Sequence, residues 1–464
     1  MGTPYRAVAQ AGLLLALSAC GRVAAADREG DVLLVTIDTL RSDFVSAYGA
    51  PFESTPHLDA LAREGVLLER HHAVISLTAP SHLSMFTGLL PTEHGLRRNG
   101  PEIPAALPFL PEVLQRAGYR TGAFVGANIM KRSAGFARGF EVFDDEMTDP
   151  ELVRGFVHER PASEVVERAI AFVRDADERP TFLWVHLYDP HEPYQAEERW
   201  LRPEAEARAV YAAQLEPSEL VDEGTQLAWR RGYEAEVHAT DHELGRLLEA
   251  WDRNGRGRRG LVVVTSDHGQ GLGEHDYGGH GFHLYQEQLL VPFVARMRGR
   301  LPASRRVAAP TTALDLARTV VELVGVDPLG LQGGSLVALL AGDSEAGRPA
   351  LLAERREWTD KDIGRRDEIQ RLIEAKAGRP GGSFAEQVVL VRPPWKFLWT
   401  ADGGRELYDL ERDPAELANL AADRADLVEA FAAEVEAWRA SVEAGKVDEE
   451  LSEETLQMLQ ALGY

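Results

Sequence analysis

Apolar, β-branched segments that alternate with amphipathic helical segments dominate this sequence. Residues 31–37, 181–187 and 261–265 are largely continuous apolar runs, the pattern of strands buried on both faces of a largely parallel sheet. Residues 163–173 and 233–251 carry apolar side chains at helical spacing, and Ser163 is expected to cap the first of these helices. This alternation predicts an α/β fold in which helices cover both faces of the sheet.

The C-terminal part has a different pattern. Residues 395–400 and 405–410 flank the turn sequence Ala401-Asp-Gly-Gly404, which indicates a β-hairpin. An alanine- and glutamate-rich helix and a short helix near 455–462 are expected after it. We therefore predict a main domain over 31–340 and a small C-terminal α+β subdomain over 341–464. The charged stretch 353–380 is expected to be a solvated insertion.

The N-terminus has the features of an export signal. Arg6 precedes a short apolar run, residues 11–17, which ends in Leu17-Ser18-Ala19-Cys20. This ending resembles the bacterial lipoprotein cleavage box, and the resemblance implies residues 1–20 as signal, 21–30 as tether and an exported protein lipid-anchored to the cell envelope at Cys20. The alternative is a plain signal peptide cut near residues 24–26. No later segment is apolar and long enough to cross a membrane.

Composition restricts the partners. The chain has 74 acidic and 50 basic residues, with a formal net charge of −24. Such an acidic chain is unsuited to binding nucleic acid, because phosphate backbones are bound by clustered Lys and Arg. Its single cysteine excludes a disulfide framework. The sequence leaves the oligomeric state open.

Acids and histidines lie where the predicted strands end. They are Asp38 after the first strand, His186, Asp189 and His191 at the second, and Asp267 and His268 after the third. The carboxyl ends of strands in an open α/β sheet line its ligand crevice, so these side chains are expected to converge. Any one of them taken alone fits a turn or a cap equally well. Carboxylates combined with imidazole form a typical metal-binding set.

A second candidate element is Thr78-Ala-Pro-Ser-His82. Pro80 fits the first turn of a helix, which makes Thr78 the N-cap or its neighbour. A hydroxyl there lies at the positive end of the helix dipole, which favours an alkoxide and an anionic substrate. A purely structural cap explains the same residue.

The third element is a loop with three histidines among glycines. His275, His280 and His283 lie within nine positions, a pattern better suited to a ligand-contacting loop than to a core segment. We assign His280 to the site and expect His275 and His283 at the surface or in supporting positions.

Together these segments resemble the sulfatase branch of the alkaline phosphatase superfamily. The similar stretches are Val-Thr-Ile-Asp38-Thr-Leu-Arg41, Thr55-Pro-His-Leu-Asp59, Thr78-Ala-Pro-Ser-His82 with Thr87-Gly88, His94-Gly95 with Asn99, His186 to Tyr194, Ser266-Asp-His-Gly269, His280 to Pro292, and Trp395-Lys396 with Glu406 to Leu410. The resemblance implies an alkaline phosphatase-like α/β/α sandwich with a mixed, mostly parallel sheet, a small C-terminal subdomain, and metal-dependent ester hydrolysis.

The resemblance also implies roles for particular residues. Asp38, Asp267 and His268 match the family's metal ligands, and Thr78 matches its nucleophile. Asn99 matches an asparagine that stabilises the developing oxyanion. His191 and His280 resemble the histidines that contact the sulfate or phosphate oxygens or, in two-metal relatives, help to hold a second ion.

Three positions depart from the sulfatase pattern. Sulfatases carry Cys or Ser where this chain has Thr78, and convert it to formylglycine, which threonine cannot form. They carry Arg where this chain has His82, and many carry a second acid where it has Thr39. The missing acid makes a calcium site less favourable than a Zn²⁺ or Mn²⁺ site.

The sequence thus predicts a hydrolase of anionic phosphoric or sulfuric esters that uses Thr78 as nucleophile and a divalent ion. The mechanism favours phosphate, because a threonine ester is opened only by a second attack at its central atom. Two alternatives remain at this point. One is a transferase that moves a phosphoryl-type group to an envelope acceptor, and the other is a non-catalytic lipoprotein that binds an anionic glycan or lipid.

Overall fold

The computed structural model describes residues 30–147, 159–175, 177–215, 221–359 and 383–442. The signal, the tether, Cys20, the helix near 455–462 and most of the stretch 353–380 lie outside the described residues. In the described part, no helix combines the length and apolarity needed to span a membrane.

The central sheet has eight strands in the order β10-β2-β9-β6-β1-β5-β3-β4. All its neighbouring strands pair in parallel except β9, which runs antiparallel to both β2 and β6. The strands of the described residues are, in chain order, β1 Val32–Ile37, β2 Val66–His72, β3 Arg120–Val125, β4 Val142–Asp144, β5 Thr181–Leu187, β6 Leu261–Ser266, β7 Gly271–Leu272, β8 Gly278–Gly279, β9 Leu290–Arg296, β10 Arg305–Thr312, β11 Leu351–Arg355, β12 Gln387–Arg392, β13 Trp395–Thr400 and β14 Arg405–Asp409.

Helices cover both faces of this sheet. In the described residues they are α1 Pro56–Glu64, α2 Thr78–Thr87, α3 Pro91–His94, α4 Leu110–Arg116, α5 Ala162–Arg174, α6 Glu204–Tyr211, α7 Glu223–Arg253, α8 Gln286–Leu289, α9 Leu316–Leu323, α10 Val337–Ala341 and α11 Ala425–Val442. Alternate residues of β1 point to opposite faces. Val32 and Leu34 join the core under α2, α4 and α9, whereas Leu33 and Val35 join the core under α1, α5 and α7. The predicted sandwich with a mixed, mostly parallel sheet is confirmed.

The pairing of β1 brings the three predicted strand ends together. β1 lies between β5 and β6 and is parallel to both, with Ile37 opposite Leu187 on one side and Ser266 on the other. Asp38 and Asp267 therefore emerge side by side at one edge of the sheet.

A second, antiparallel sheet of four strands has the order β11-β12-β13-β14. The predicted hairpin is present as β13 and β14, and α11 packs on this sheet through Phe431 and Val435. Residues 353–355 belong to β11 and Glu354 is buried, so the interpretation of 353–380 as a solvated insertion was wrong for its first residues. The domain boundary near residue 340 stays a prediction.

The start of α5 also differs from the expectation. The sequence favoured Ser163 as its cap, but the helix begins at Ala162. The Oδ2 atom of Asp189, at the end of β5, accepts a hydrogen bond of 2.8 Å from the Ala162 backbone N–H. A side chain distant in sequence thus satisfies the donor that a local cap normally takes.

Candidate active site

Two buried carboxylates form the floor of the site. Asp38 follows β1 and Asp267 follows β6, and both side chains are fully buried. The backbone turns sharply after Asp38, where Thr39 has a φ of 56°, and the Thr39 N–H donates to Asp267 Oδ1 at 3.2 Å. Burial, and then the negative charge of Asp267, raise the pKa of the Asp38 carboxyl well above its ordinary value. Burial acts in the same direction on Asp267, but nearby histidines, His268 first, outweigh it and lower its pKa.

Helix α2 delivers Thr78 to these carboxylates. Thr78 is its first residue, with Leu77 as N-cap, so the threonine is the neighbour of the cap. Its Oγ1 atom lies 3.3 Å from His268 Nε2 and is fully buried. The Ser81 hydroxyl, one turn further on, donates to the Asp267 carbonyl at 2.7 Å. This bond joins the start of α2 to the end of β6.

Asn99 lies against the same end of α2. Its Oδ1 atom accepts a 2.9 Å hydrogen bond from the backbone N–H of Ala79, the residue after Thr78. Because that N–H can only donate, the bond fixes which amide atom is the oxygen. The Nδ2 group is buried and has no hydrogen-bond acceptor in the described residues. Asn99 thus keeps a donor available beside Thr78.

Three imidazoles form a cluster, of which His268 lies next to Thr78. The ring centroids of His268 and His280 are 4.7 Å apart, and those of His191 and His280 are 4.8 Å apart. Each Nδ1 atom lies at hydrogen-bond distance from an oxygen. His268 Nδ1 is 2.9 Å from Gly269 O, and His191 Nδ1 is 2.6 Å from Glu192 O. His280 Nδ1 is 2.9 Å from Gln270 Oε1. Each of these oxygens is an acceptor, so Nδ1 carries a proton in each ring.

Burial keeps His191 neutral. It lowers the pKa of this imidazole from 6.5 to about 4. The ring also stacks on Tyr188, with centroids 4.4 Å apart. A neutral ring whose proton is on Nδ1 uses Nε2 to take up a proton or coordinate a metal ion before it donates to an anion.

Gln270 is a site residue that the sequence analysis did not identify. Its Nε2 group donates to Glu192 Oε2 at 3.2 Å and to the Tyr194 hydroxyl at 3.0 Å, which turns its Oε1 atom toward His280. Its position in the sequence, directly after Asp267-His268-Gly269, could have indicated this role.

The other predicted strand-end residues have different surroundings. His186 is fully buried, with Nε2 3.4 Å from Asp38 Oδ2. Asp189 is turned toward α5, where its carboxylate caps the helix. His82 lies beneath Thr78, and both of its ring nitrogens are within 3 Å of polar partners, Thr78 O at 2.8 Å and Thr36 Oγ1 at 2.9 Å.

The two remaining histidines of the third element are supporting residues. His275 Nδ1 pairs with Glu287 Oε1 at 3.0 Å, and its ring stacks on Tyr285 with centroids 3.7 Å apart. His283 is buried against Tyr277, with ring centroids 4.9 Å apart. Neither belongs to the group around Thr78, in line with the expectation.

The residues present fit a divalent cation. Asp38, Asp267 and His268 can each place one ligand atom within 4.8 Å of the others. Both oxygens of Asp38, and Oδ2 of Asp267, are buried without a hydrogen-bond donor in the described residues. Two adjacent buried carboxylates without donors are unfavourable unless a positive charge lies between them. His82, His186 and Asp267 form a second such group, but the two hydrogen bonds of His82 leave it no lone pair for an ion.

The comparison with known proteins identifies the family. The family model of the sulfatases matches residues 30–326, which include every residue of the site described above. The chain belongs to the sulfatase family. It is therefore an ester hydrolase, and the resemblance inferred from its motifs is confirmed.

Relatives and solved structures agree with this membership. The chain is 23% identical over 453 residues to the choline-sulfatase of Rhizobium meliloti (strain 1021), covering 84% of this chain and 82% of that protein. It is 25% identical over 451 residues to the delta 4,5-hexuronate-2-O-sulfatase of Bacteroides thetaiotaomicron, with 88% of each covered. The crystal structure of the phosphonate monoester hydrolase of Agrobacterium radiobacter shares the fold, with a TM-score of 0.70 and 23% identity over 91% of this chain and all of that one.

Proposed function

We propose that this sulfatase-family protein hydrolyses an anionic phosphoric ester by a double displacement in which the unmodified hydroxyl of Thr78 is the nucleophile. The observation that carries the proposal is the placement of Thr78 Oγ1 at a buried centre of two carboxylates and an imidazole, 3.3 Å from His268 Nε2. Sulfuric esters, which the names of the two relatives above indicate for those proteins, are the competing substrate class.

The ion belongs at the two carboxylates. Asp38, Asp267 and His268 would hold it, because they offer unsatisfied carboxylate oxygens and an imidazole whose proton is fixed on the other nitrogen. A divalent ion bound there acts as a Lewis acid that lowers the pKa of a hydroxyl and neutralises charge on a phosphoryl oxygen. A donor set of two carboxylates and one imidazole favours Zn²⁺ or Mn²⁺ over Ca²⁺.

The first displacement transfers the phosphoryl group to Thr78. Oγ1 forms a bond to phosphorus as the bond to the ester's leaving oxygen breaks, and the hydroxyl proton ends on the released alcohol. His191 and His280 suit the transfer of that proton, because an oxygen holds the Nδ1 proton of each ring and makes Nε2 the accepting nitrogen. The Asn99 amide donates to a phosphoryl oxygen on which negative charge accumulates.

The second displacement regenerates the enzyme. Water attacks the same phosphorus, the bond to Thr78 Oγ1 breaks, and inorganic phosphate leaves while the threonine recovers its proton. A formylglycine hydrate expels its ester by collapsing to the aldehyde, but a threonine ester lacks that route. Threonine therefore suits phosphorus, which accepts two successive attacks, better than sulfur.

Substitution of Thr78 tests the proposal. We expect Thr78→Ala to lower kcat/KM for an aryl phosphate by roughly 10³-fold or more, since the nucleophile is lost, and Thr78→Ser to keep a measurable part of the activity. Aryl phosphate, phosphodiester and sulfate substrates with the same leaving group are compared in the presence of Mn²⁺ or Zn²⁺. Thr92→Ala, which removes a hydroxyl that donates to Glu354 and to no residue of the site described above, is the matched control.

Each outcome of this comparison has a clear meaning. Phosphate-ester turnover that falls in Thr78→Ala and not in Thr92→Ala supports the proposal. Turnover that survives Thr78→Ala contradicts the nucleophile, and a preference for the aryl sulfate in the wild type contradicts the substrate class. Loss of all turnover after dialysis against a chelator, restored by Mn²⁺ or Zn²⁺, is the result expected for the ion.

A further inference from the structure

We propose that His82 is a positioning residue for Thr78: it holds the Thr78 backbone carbonyl through Nδ1–H, while the Thr36 hydroxyl, oriented by Trp184, donates to Nε2 and fixes the ring from its other side. This inference rests on the proposed function, because it concerns the residue that we assign as the nucleophile. It explains what takes the place of the arginine that sulfatases carry at this position.

A continuous chain of hydrogen bonds runs from the sheet to Thr78. The indole Nε1–H of Trp184 in β5 lies 3.0 Å from Thr36 Oγ1 in β1. Thr36 Oγ1 is 2.9 Å from His82 Nε2, and His82 Nδ1 is 2.8 Å from the Thr78 carbonyl oxygen. All the side chains in this chain are fully buried, so water does not compete for them.

The direction of each bond follows from which atoms can donate a proton, beginning with the indole N–H of Trp184. The indole N–H of Trp184 can only donate, so Thr36 Oγ1 accepts from it. The Thr36 hydroxyl has one proton, and the remaining partner for it is His82 Nε2, which must then be the acceptor. The proton of the neutral imidazole is thereby placed on Nδ1, where the Thr78 carbonyl accepts it.

The surroundings of His82 hold the ring in place. The ring packs between Trp184 and His186, with centroid distances of 5.5 and 4.9 Å. Its Nδ1 atom is also 3.7 Å from Asp267 Oδ2, so the same N–H faces both the nucleophile's backbone and a carboxylate of the acid pair.

The hydrogen bond from His82 to the Thr78 carbonyl therefore restricts where Thr78 Oγ1 lies. Thr78 is the first helical residue of α2, and a small rotation at the start of a helix moves its side chain away from the attacked atom. Holding its carbonyl from below limits that rotation. A misplacement of about 1 Å at a reacting centre can lower a rate by roughly 100-fold, which makes such a support valuable.

The first experiment determines by NMR which ring nitrogen of His82 carries the proton. The protein is labelled with ¹⁵N-histidine, and the ring nitrogens of His82 are assigned by comparison with the His82→Asn variant. We expect Nδ1 protonated and Nε2 unprotonated in the wild type and in Thr36→Ser, which keeps the hydroxyl. Thr36→Val removes the hydroxyl that donates to Nε2, so the Nε2 resonance of its His82 should shift to that of a nitrogen without a hydrogen bond, while the Thr78 carbonyl keeps the proton on Nδ1. A wild-type His82 protonated on Nε2 would overturn the proposal.

The second experiment measures how substitutions of Thr36 and His82 change the kinetics of the reaction. We expect Thr36→Val to lower kcat roughly tenfold with KM nearly unchanged, since Thr36 does not touch the substrate, and Thr36→Ser to recover most of the loss. His82→Asn keeps an N–H near the Nδ1 position and should retain more kcat than His82→Gln, whose amide reaches toward Thr36 instead. The Thr36 variants leave the imidazole ring of His82 in place.

A matched control distinguishes an effect on the position of Thr78 from an effect on the stability of the fold. Thr311 Oγ1 lies 2.9 Å from His71 Nδ1 in another fully buried threonine–histidine pair of the same sheet. We expect Thr311→Val to lose thermal stability as Thr36→Val does, without a fall in kcat.

The outcomes distinguish this proposal from the proposed function. If Thr78→Ala is inactive while Thr36→Val and His82→Gln both keep the wild-type kcat, the role of His82 is wrong and the nucleophile stands. If Thr311→Val loses as much kcat as Thr36→Val, the effect is one of stability and the proposal fails. If Thr78→Ala remains active, both proposals fall.

Discussion

Single hydrogen bonds decide what the polar side chains of this site can do. The carbonyl of Gly269 holds the His268 proton on Nδ1, and the side chain of Gln270 does the same for His280. Asn99 follows the same principle, since the Ala79 N–H takes its oxygen and leaves its amide protons available. At this scale the site is a set of donors and lone pairs fixed in advance of substrate binding, which is how enzymes stabilise developing charge without reorganisation.

Asn99 gives the prediction at the residue scale. Asn99→Asp keeps the oxygen that Ala79 binds and removes the amide donor at nearly constant shape. We expect kcat/KM to fall by roughly 10²- to 10³-fold, as for the loss of one oxyanion donor.

Asn419→Asp is the control for this change. The Asn419 Oδ1 atom accepts from the backbone N–H groups of Leu407 and Ala421, far along the chain from the site, and the substitution keeps that oxygen. Steady-state kinetics should show the loss of kcat/KM in Asn99→Asp and not in Asn419→Asp. Equal activity of Asn99→Asp and the wild type would remove Asn99 from the mechanism.

At the scale of elements, the site depends on how α2 meets the strand ends. β1 and β6 carry the two carboxylates side by side, and α2 brings Thr78 to them from a different part of the chain. The bond from the Ser81 hydroxyl to the Asp267 carbonyl, 2.7 Å long, is a direct tie between helix and strand end.

Ser81→Ala tests that tie. Its loss leaves a buried carbonyl without a donor, which should lower the free energy of unfolding by about 1–3 kcal/mol. We expect kcat to fall as well, roughly tenfold, because Thr78 and Asp267 are then less well fixed to each other. Ser84→Ala on the same helix removes a 3.0 Å bond to His94 Nε2 and should lose stability alone. Equal kcat values for the two variants would mean that the tie has no catalytic role.

At the scale of the whole molecule, buried histidines make stability depend on pH. Burial lowers the pKa of His94 from 6.5 to about 3, so between these values the unfolded chain binds a proton that the folded chain does not. Stability therefore falls as the pH drops below 6.5. In His94→Gln, the loss of unfolding free energy between pH 7.5 and 5 should be smaller than in the wild type by about 2 kcal/mol, measured by urea titration.

His275 provides a control of opposite sign. The ion pair with Glu287 outweighs burial and raises its pKa from 6.5 to about 9, so here the folded chain binds the extra proton. Its stabilising contribution is complete below pH 6.5 and is lost as the pH rises toward 9. His275→Gln should therefore flatten the alkaline side of the stability profile and leave its acid side unchanged. A flattening on the acid side instead would contradict the assignment of charges.

The parts of the structure that follow local rules were predictable from the sequence. Apolar β-branched runs predicted β1, β5 and β6, and the convergence of Asp38 and Asp267 followed from the parallel sheet that those runs require. The hairpin of β13 and β14 was equally visible from its turn residues.

Features that depend on partners distant in the chain were not predictable. The carboxylate of Asp189 caps α5 from the end of another strand, so it is directed away from the group around Thr78. Glu354 looks like a surface residue in the sequence, yet it is buried because Arg97, far earlier in the chain, pairs with it at 2.8 Å. The role of Gln270 depends on three side chains that only the folded chain brings together.

Rapid-quench mass spectrometry of the peptide that contains Thr78 tests the central claim most directly. The wild-type protein is mixed with an aryl phosphate and a divalent ion and quenched in acid at intervals through the first turnover. We expect Thr78 to be unmodified before mixing, to carry one phosphoryl group during turnover, and to be unmodified again once the substrate is consumed. A threonine already altered before mixing, or a phosphoryl group found on another residue or on none throughout the time course, would contradict the account.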